Sequence, residues 1–198
     1  MRSFTSPFVL LVVIAVGVNI SCPSMCAAQT IEEFNAVVTE QSKNSPAGGP
    51  AKNPNAVVLV YLRASKKLCW VADGKVVSVE TVSPRVTDDK KEKGPTPVGE
   101  YLIGTRFKNA TYHIDWYKLY PRIEDNSGYY GYTTSTKTGR DRMGLHPGSI
   151  SEGCVTVKSS VMPYDTSEVW KVVRSKLDSG KLSYKNDDFN GLLYVVDK

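Results

Sequence analysis

Histidine and cysteine are scarce in this sequence of 198 residues, which contains only two histidines and four cysteines. Cys22 and Cys26 lie close to the N-terminus, so that Cys69 and Cys154 are the only cysteines of the later chain. Two histidines without a cluster of acidic residues around them cannot build a conventional zinc site. We therefore expect neither a metal ion nor another cofactor.

The sequence also lacks a hydrophobic run long enough for a stable membrane span. Its longest apolar run, residues 8–18, is about half of the ~20 residues that a transmembrane helix requires. The run follows a basic start and precedes a small-x-small pattern at Cys26 and Ala28, which is typical of a secretory signal peptide. We therefore predict a signal peptide over residues 1–28, with a lipid anchor on Cys22 as the alternative, and a periplasmic or secreted mature protein.

No basic stripe and no motif of interleaved basic and aromatic residues occurs, so the sequence gives no indication of binding to nucleic acid. The formal charge is +5 and there are 11 tyrosines, a balance that suits an anionic polymer such as a cell wall. The mature part, about 170 residues, is long enough for one domain with its own core.

Segments of strand-like sequence dominate the mature chain. Asp73-Gly74 separates two of them and is a strong hairpin signal, whereas residues 165–168 have the pattern of a capping box that begins a helix. A short helix and a Pro/Gly/Asn-rich linker are expected over residues 29–56, ahead of a domain at residues 57–198. We predict a mostly β fold, a mixed sheet or sandwich, with one or two packing α-helices. The predicted strands are residues 57–63, 68–72, 75–82, 98–104, 112–120, 129–133 and 192–196, and the predicted buried helical face is Val169, Trp170, Val173 and Leu177, before Gly180.

The candidate chemistry lies within residues 142–157, where His146 and Cys154 flank a run of proline, glycine and serine residues. This run is typical of a turn-rich loop, and the β-branched residues after Cys154 indicate the start of a buried strand. An imidazole that takes the proton of a thiol produces a thiolate able to attack a carbonyl carbon. Gly153 would let backbone N–H groups approach the oxyanion that develops. The sequence thus predicts a cysteine-dependent nucleophilic enzyme.

A structural role for the same residues is the alternative. A cysteine in an apolar run is usually a small buried hydrophobe, and two cysteines in an oxidising compartment favour a disulfide. The chain would then be a non-catalytic exported binding or inhibitor module stapled by a Cys69–Cys154 bridge. A papain-like hydrolase is a weaker alternative, because such enzymes place the cysteine before the histidine and at the N-terminus of a helix.

Two motifs carry a resemblance to a known family. Residues 93–101 read Lys-Gly-Pro-Thr-Pro-Val-Gly-Glu-Tyr, and Gly144-Leu145-His146 is followed by Ser-Glu-Gly-Cys-Val at residues 151–155. Together they resemble the L,D-transpeptidase catalytic domain (the YkuD-like fold), which carries Thr-Pro-x-Gly-x-aromatic, then Gly-Ile-His, then Ser-His-Gly-Cys. The resemblance covers residues 57–157 and implies an L,D-transpeptidase-like catalytic domain over residues 57–198.

Transferred residue by residue, the resemblance implies that Cys154 is the nucleophile, His146 the general base and Ser151 a residue that orients the loop. Backbone N–H groups around Gly153 and Cys154 would form the oxyanion hole. The implied partner is a peptidoglycan stem peptide, whose amide after an L-centre would be attacked to give a thioester acyl-enzyme. Water would resolve this intermediate in an L,D-carboxypeptidase and a second stem amine in an L,D-transpeptidase, and the sequence leaves both open.

The sequence departs from the family pattern at three points. The interval between the histidine and the cysteine is shorter, Glu152 replaces a histidine, and Thr156 stands where an arginine is usual. These features look like the divergent branch that includes effectors delivered by type VI secretion, which attack the wall of a rival cell. We keep that antibacterial role as the alternative, with an immunity or inhibitor protein as its partner, because the leader fits a self-exported wall enzyme better.

Four residues are further candidates for substrate binding. Arg142 would hold a terminal carboxylate through a bidentate pair, although a surface arginine is the commoner case. Glu152 would either orient His146 or face water. His113, expected on an alternating strand, and Tyr132 would line the substrate groove or belong to the structural framework.

Overall fold

The computed structural model of the chain describes residues 30–43, 45, 49–124, 130–137 and 139–198. The predicted signal peptide at residues 1–28 lies outside the described residues and stays a prediction. Within the described residues, no helix is both long enough and apolar enough to cross a membrane.

Ten β-strands and two α-helices make up the described part of the chain, which confirms the prediction of a mostly β fold with one or two helices. The strands are β1 (Val58–Leu62), β2 (Lys67–Ala72), β3 (Lys75–Val82), β4 (Gly99–Lys108), β5 (Asp115–Glu124), β6 (Tyr130–Tyr132), β7 (Gly144–Gly148), β8 (Val155–Lys158), β9 (Leu182–Tyr184) and β10 (Asp187–Val196). The helices are α1 (Ile31–Ser42) and α2 (Glu168–Asp178), with short 3₁₀ helices at Pro50–Lys52 and Tyr164–Thr166.

The strands form one mixed sheet in the order β1-β2-β3-β8-β7-β5-β4-β10-β9, and β6 pairs with β5. The sheet closes on itself because β1 also pairs with β10. Two pairs are parallel, β1 with β10 and β7 with β8, and the others are antiparallel. The main core cluster takes side chains from these strands and from α2. The parallel pair of β7 and β8 is the part of the sheet that positions the candidate site.

Alternation along the strands divides the apolar side chains between two sides of the sheet. In β1, Leu59 and Tyr61 belong to the main core, whereas Val60 and Leu62 belong to a second cluster that includes residues of α1. This division follows from the two-residue period of a β-strand. Cys69 of β2 is fully buried in the second cluster, away from the main core.

Helix α2 begins at a side-chain cap and buries one face. The Ser167 hydroxyl accepts a hydrogen bond from the Trp170 backbone N–H, which satisfies one of the donors left free in the first turn. Trp170, Val173 and Leu177 are fully buried in the main core, as predicted. Val169 was predicted on the same face but is 39% exposed, because the buried stripe follows positions three and four residues apart.

Strands β2 and β3 are joined by the predicted turn at Asp73-Gly74. Both residues have positive φ, 49° for Asp73 and 69° for Gly74. A two-residue type I′ hairpin turn requires this conformation at both central positions, and aspartate and glycine adopt it most readily. The hairpin prediction is therefore confirmed.

Residues 147–153 were predicted to lie in a turn-rich loop, and this prediction is wrong for Pro147 and Gly148. Gly144–Gly148 is strand β7, and all five residues are buried. The strand pairs with β5 on one side and β8 on the other, and these long-range pairings override the local preference of glycine and proline for turns. A Cβ at Gly144 would lie 2.1 Å from the Trp116 Nε1 atom, so this glycine serves close packing and not a turn.

The strand predicted at residues 112–120 begins later than expected. β5 starts at Asp115, and His113 lies in the preceding turn with a φ of 55°. Its backbone N–H donates to the Asn109 carbonyl oxygen, which closes the turn between β4 and β5. The alternating strand position predicted for His113 is therefore wrong, and its side chain is exposed.

Candidate active site

The parallel pairing of β7 and β8 places His146 beside the strand that begins one residue after Cys154. His146 is in register with Thr156, and Leu145 is in register with Val155. Leu145 and Val155 are fully buried in the main core, so alternation directs His146 and Thr156 to the opposite side. Cys154 immediately precedes β8 and lies two residues before Thr156 in the chain.

The hydrogen bonds of His146 define which ring nitrogen can act as a base. Its Nδ1 atom lies 2.9 Å from the Pro147 carbonyl oxygen, which can only accept, so Nδ1 carries the hydrogen. The Nε2 atom therefore holds the lone pair, and it lies 3.3 Å from the Thr156 hydroxyl. Burial lowers the pKa of His146 to about 4, opposed by the hydrogen bond to Pro147. The imidazole is thus neutral and able to accept a proton at neutral pH.

Trp116 of β5 covers the histidine ring. Its indole stacks on the His146 imidazole with a centroid separation of 4.2 Å and an interplanar angle of 11°. The stack requires the absence of a side chain at Gly144, where a Cβ would overlap the indole. The sequence analysis did not single out Trp116, whose only signal was its position in an aromatic segment before the catalytic motif.

The Cys154 thiol is half-buried beside the backbone of the segment before β7. Its Sγ atom lies 3.8 Å from the Arg142 carbonyl oxygen. Burial raises the pKa of the Cys154 thiol to about 11, and a hydrogen bond with the Gly144 backbone and the positive charge of Arg140 act in the opposite direction. No hydrogen bond among the described residues joins this thiol to His146. The raised pKa of the thiol and the lowered pKa of the imidazole both favour a neutral pair over a thiolate–imidazolium ion pair.

Ser151 holds the loop that precedes Cys154. Its hydroxyl donates to the Cys154 carbonyl oxygen at 2.9 Å and accepts from the Gly153 N–H at 3.4 Å. Gly153 has a φ of 108°, in the left-handed region that favours glycine. The Gly153 N–H, which the resemblance assigns to an oxyanion hole, is directed at Ser151 in this state.

Two side chains hold the first motif, one of them by a bond to the loop before Cys154. The buried Thr96 hydroxyl donates to the Gly153 carbonyl oxygen at 2.9 Å. Arg140 donates to the carbonyl oxygens of Gly94 at 2.9 Å, Pro95 at 2.6 Å and Asp89 at 2.8 Å. The sequence predicted a motif around Thr96 but no role for Arg140, which nothing in the local sequence distinguishes from Arg142.

The four residues predicted to bind substrate do not assemble around the thiol. The Arg142 side chain is 92% exposed and only its carbonyl contacts Cys154. Glu152 forms an ion pair with Lys93 at 3.1 Å and does not orient His146, whose ring nitrogens have other partners. None of the described contacts links the exposed His113 to the site.

Tyr132 belongs to a different part of the fold. Its hydroxyl donates to the buried carboxylate of Glu100, and its ring packs edge-on against Tyr184 at 5.4 Å. Arg122 also contacts Glu100, at 3.3 Å. This position, on the short strand β6, favours the structural interpretation of Tyr132.

The alternative of a Cys69–Cys154 disulfide is wrong for this structure. Both cysteines are free. Cys69 lies in the second apolar cluster, whereas Cys154 faces the candidate site. Burial raises the pKa of Cys69 to about 11, which makes it an unreactive core thiol. Among the described residues, no group of three or more His, Cys, Asp or Glu side chains could hold a metal ion.

A cleft of about 320 Å³ opens beside the loop before Cys154. Its lining residues come from the segment after β3 and from the loop before Cys154. They are Arg85, Val86, Lys93, Ile150, Ser151 and Glu152.

The two motifs on this mostly β fold resemble those of the L,D-transpeptidase catalytic domain, as the sequence predicted. A family model described as the Tlde1 domain matches residues 83–178, just under half of the chain. The matched residues include Thr96, His146 and Cys154. This match to a type VI effector family confirms the predicted resemblance to the divergent L,D-transpeptidase-like branch.

Solved structures of L,D-transpeptidases are similar to the chain at low identity. One from Stackebrandtia nassauensis is 14% identical with a TM-score of 0.37, over 81% of this chain and 65% of that chain. One from Xylanimonas cellulosilytica is 16% identical with a TM-score of 0.35, over 73% and 62%. L,D-transpeptidase 3 from Mycobacterium tuberculosis is 13% identical with a TM-score of 0.35, over 72% and 61%. The chain thus spans about three fifths of the length of these structures. A comparison with curated proteins finds no match.

Proposed function

We propose that the protein is a cysteine-dependent enzyme that acts on peptidoglycan stem peptides through a thioester acyl-enzyme. The observation that carries this proposal is the parallel pairing of β7 with β8, which places His146 in register with Thr156, two residues after Cys154. The match of residues 83–178 to the Tlde1 domain supports a target in the cell wall.

In the proposed acylation step, the Cys154 Sγ attacks the carbonyl carbon of an amide in the stem peptide. The His146 Nε2 accepts the thiol proton, and the tetrahedral intermediate collapses to a thioester as the C–N bond breaks. The imidazolium then donates its proton to the departing amine, so His146 is neutral again. Water or a second stem amine attacks the thioester and releases Cys154, with His146 again accepting and returning a proton.

Three features of the site support His146 as the base. Its Nδ1–H is fixed by the Pro147 carbonyl, which leaves the Nε2 lone pair available. Burial keeps the ring neutral, and Trp116 restricts the ring plane. Because Nε2 contacts Thr156 and not Cys154 in this state, the proposal includes a small rearrangement of the thiol or the ring when substrate binds.

The experiment that tests the proposed reaction incubates the full-length protein with a tetrapeptide stem, with and without an acceptor amine, and identifies the products. Release of the terminal D-residue alone would identify carboxypeptidase activity, and a cross-linked product would identify transpeptidase activity. Cys154→Ala and His146→Ala should abolish both products. Cys69→Ala, which removes the buried core thiol, is the matched control and should retain turnover. Product formation by Cys154→Ala would contradict the proposal.

An antibacterial role is the second candidate, and the Tlde1 match favours it. The chemistry would be the same, but the substrate would be the wall of a rival cell, and the producing cell would require an inhibitor protein. Expression of the protein in the periplasm of a bacterial host distinguishes the roles. Lysis or growth arrest with the wild type and normal growth with Cys154→Ala would support the effector role, and normal growth with both would favour a self-directed wall enzyme.

A further inference from the structure

Strand β5 carries a row of partly exposed side chains on the side of the sheet opposite the main core. Tyr117 and Leu119 are fully buried in the main core, so alternation directs Trp116, Lys118 and Tyr120 to the other side. Each of these three residues is only half-buried. Tyr120 lies four residues beyond Trp116, about 14 Å at the rise of a β-strand. Because Trp116 covers the proposed base, the row leads along the sheet from the candidate active site.

Aromatic side chains of neighbouring strands widen this row. Phe107 of β4 is in register with Trp116, so both lie on the same side of the sheet, and Phe107 is 47% exposed. Half-buried aromatic residues of β6, β9 and β10 pack with Tyr120 around a small apolar cluster. We call these side chains together the aromatic face, which consists of Phe107, Trp116, Tyr120, Tyr132, Tyr184 and Phe189.

The rings of the aromatic face are held by one another and by the backbone beneath them. Tyr120 packs edge-on against Phe189, with ring centroids 5.6 Å apart. A Cβ at Gly104 would lie 2.9 Å from the Tyr120 ring, so this glycine leaves room for the ring close to the sheet, as Gly144 does for Trp116. Rings that are already fixed lose little conformational entropy when a ligand binds them.

Two lysines accompany these rings. The Lys118 Nζ atom lies 5.3 Å from the centroid of the Tyr120 ring, and the Lys185 Nζ atom lies 5.4 Å from that of Tyr184. Ammonium groups donate hydrogen bonds to hydroxyl and carbonyl oxygens, and the negative faces of aromatic rings attract weakly positive C–H groups. A sugar ring matches both, because its C–H groups lie on the ring faces and its oxygens lie at the rim.

The position of the aromatic face favours a glycan over a nucleic acid. The face begins at Trp116, which stacks on His146, and the stem peptides proposed to react there are attached to a glycan strand. A single-stranded nucleic acid would instead require a positively charged groove along its phosphates. Asp187 and Asp188 are exposed immediately before Phe189, and their charges oppose a phosphate backbone.

We propose that the aromatic face binds the glycan strand of peptidoglycan, a polymer of N-acetylated amino sugars. Sugar rings stack on Phe107, Tyr120 and Tyr184, and Lys118 and Lys185 donate hydrogen bonds to hydroxyl and acetamido oxygens. This inference rests on the proposed function, since it places the polymer to which the reacting stem peptide is attached. The face holds the polymer while the stem peptide reaches the nucleophile.

Binding of stem-free glycan strands to the full-length protein tests the face without turnover. The strands are prepared from peptidoglycan with an amidase that removes the stem peptides, and the affinity is measured by isothermal titration calorimetry. Phe107→Ala, at an exposed residue, should weaken binding by about threefold to tenfold, the contribution of one stacked ring. Tyr120→Leu, which keeps apolar packing against the cluster, should weaken binding to a similar degree. Val172→Ala, at a similarly exposed apolar residue of α2 on the main-core side, is the control and should leave the affinity unchanged.

The outcomes separate this inference from the proposed function. Lack of measurable binding of the stem-free strands, or equal losses in Phe107→Ala and Val172→Ala, would overturn the glycan site even if the wild type cleaves a free tetrapeptide stem. Tighter binding of a single-stranded oligonucleotide, weakened by Phe107→Ala, would assign the face to nucleic acid and also overturn the glycan site. Phe107-dependent glycan binding by a protein that does not turn over stem peptides would retain the site and contradict the proposed reaction.

Discussion

The Trp116 indole and the His146 imidazole lie nearly parallel, with their centroids 4.2 Å apart and their planes 11° from each other. The contact joins β5 to β7, and it exists because Gly144 leaves room for the indole. It also excludes water from one face of the ring, and burial is the main cause of the low pKa of His146. Trp116 thus controls both the orientation and the basicity of the proposed base.

Replacement of Trp116 tests its influence on the orientation and basicity of His146. Trp116→Ala should lower kcat by about tenfold to a hundredfold, because a loosely held base spends less time in the reactive geometry. The acid limb of the pH–rate profile should also move to higher pH, because hydration of the ring raises the pKa of His146. Trp116→Phe, which keeps a stacking ring, should recover part of both changes. Tyr112→Ala, at an exposed aromatic residue in the preceding turn, is the control, and an equal effect there would contradict the assignment.

The pH dependence of thiol alkylation tests whether the resting site contains an ion pair. Burial raises the pKa of Cys154 to about 11, so the thiolate fraction should increase about tenfold for each pH unit across the neutral range. The measurement is the rate of reaction with iodoacetamide at Cys154, followed by mass spectrometry of its peptide. A plateau below pH 7 would instead indicate a thiolate paired with a protonated His146.

The stability of the protein should fall when the pH decreases from 6.5 to 4. Burial lowers the pKa of His146 from 6.5 to about 4, so over this interval the unfolded chain binds a proton that the folded state does not. The associated loss in the free energy of unfolding is ~3 kcal/mol, and it is complete near the folded pKa. Denaturant unfolding of the wild type and of His146→Gln measures it.

The wild type should lose stability relative to His146→Gln within that interval and not above pH 6.5. The depressed pKa of Asp115 does not interfere, since a carboxylate with a lowered pKa loses its stabilising effect only below its unfolded value of 3.8. A difference between the two proteins that stays constant from pH 7 to pH 4 would show that His146 titrates normally.

The hydrogen bond from Thr96 to the Gly153 carbonyl oxygen should contribute to both stability and activity. Thr96→Val keeps the shape of the side chain but leaves a buried acceptor without its partner, at a cost of about 1–2 kcal/mol. Acylation should slow as well, because the loop before Cys154 is less firmly held. Thr96→Ser retains the hydroxyl and should behave like the wild type in both assays. Full acylation by a destabilised Thr96→Val would limit the residue to a structural role.

The sequence predicted those parts of the fold whose signals are local. The Asp73-Gly74 hairpin follows from the backbone conformations that these two residues adopt. The buried face of α2 follows from the spacing of Trp170, Val173 and Leu177. The order of the two motifs was likewise sufficient to predict the L,D-transpeptidase-like resemblance.

The remaining features depend on contacts between distant segments. Pro147 and Gly148 were predicted in a loop, but pairing with a distant strand places them in β7. The packing of Gly144 against Trp116 likewise has no signature in the local sequence. The same holds for Arg140, which stabilises the loop at residues 94–95 through backbone carbonyls. His113 alternates with apolar residues in the sequence, yet it lies in a turn at positive φ.

The most direct test of the central claim is the intact mass of the full-length protein after incubation with the β-lactam imipenem. The account predicts one covalent adduct, mapped to Cys154, with no adduct in Cys154→Ala and an unchanged adduct in Cys69→Ala. Acylation should be strongly slowed in His146→Ala, because the thiol with a pKa of about 11 would lack its base. An unmodified wild-type protein, or an adduct that persists in Cys154→Ala, would contradict the assignment of Cys154 as the nucleophile.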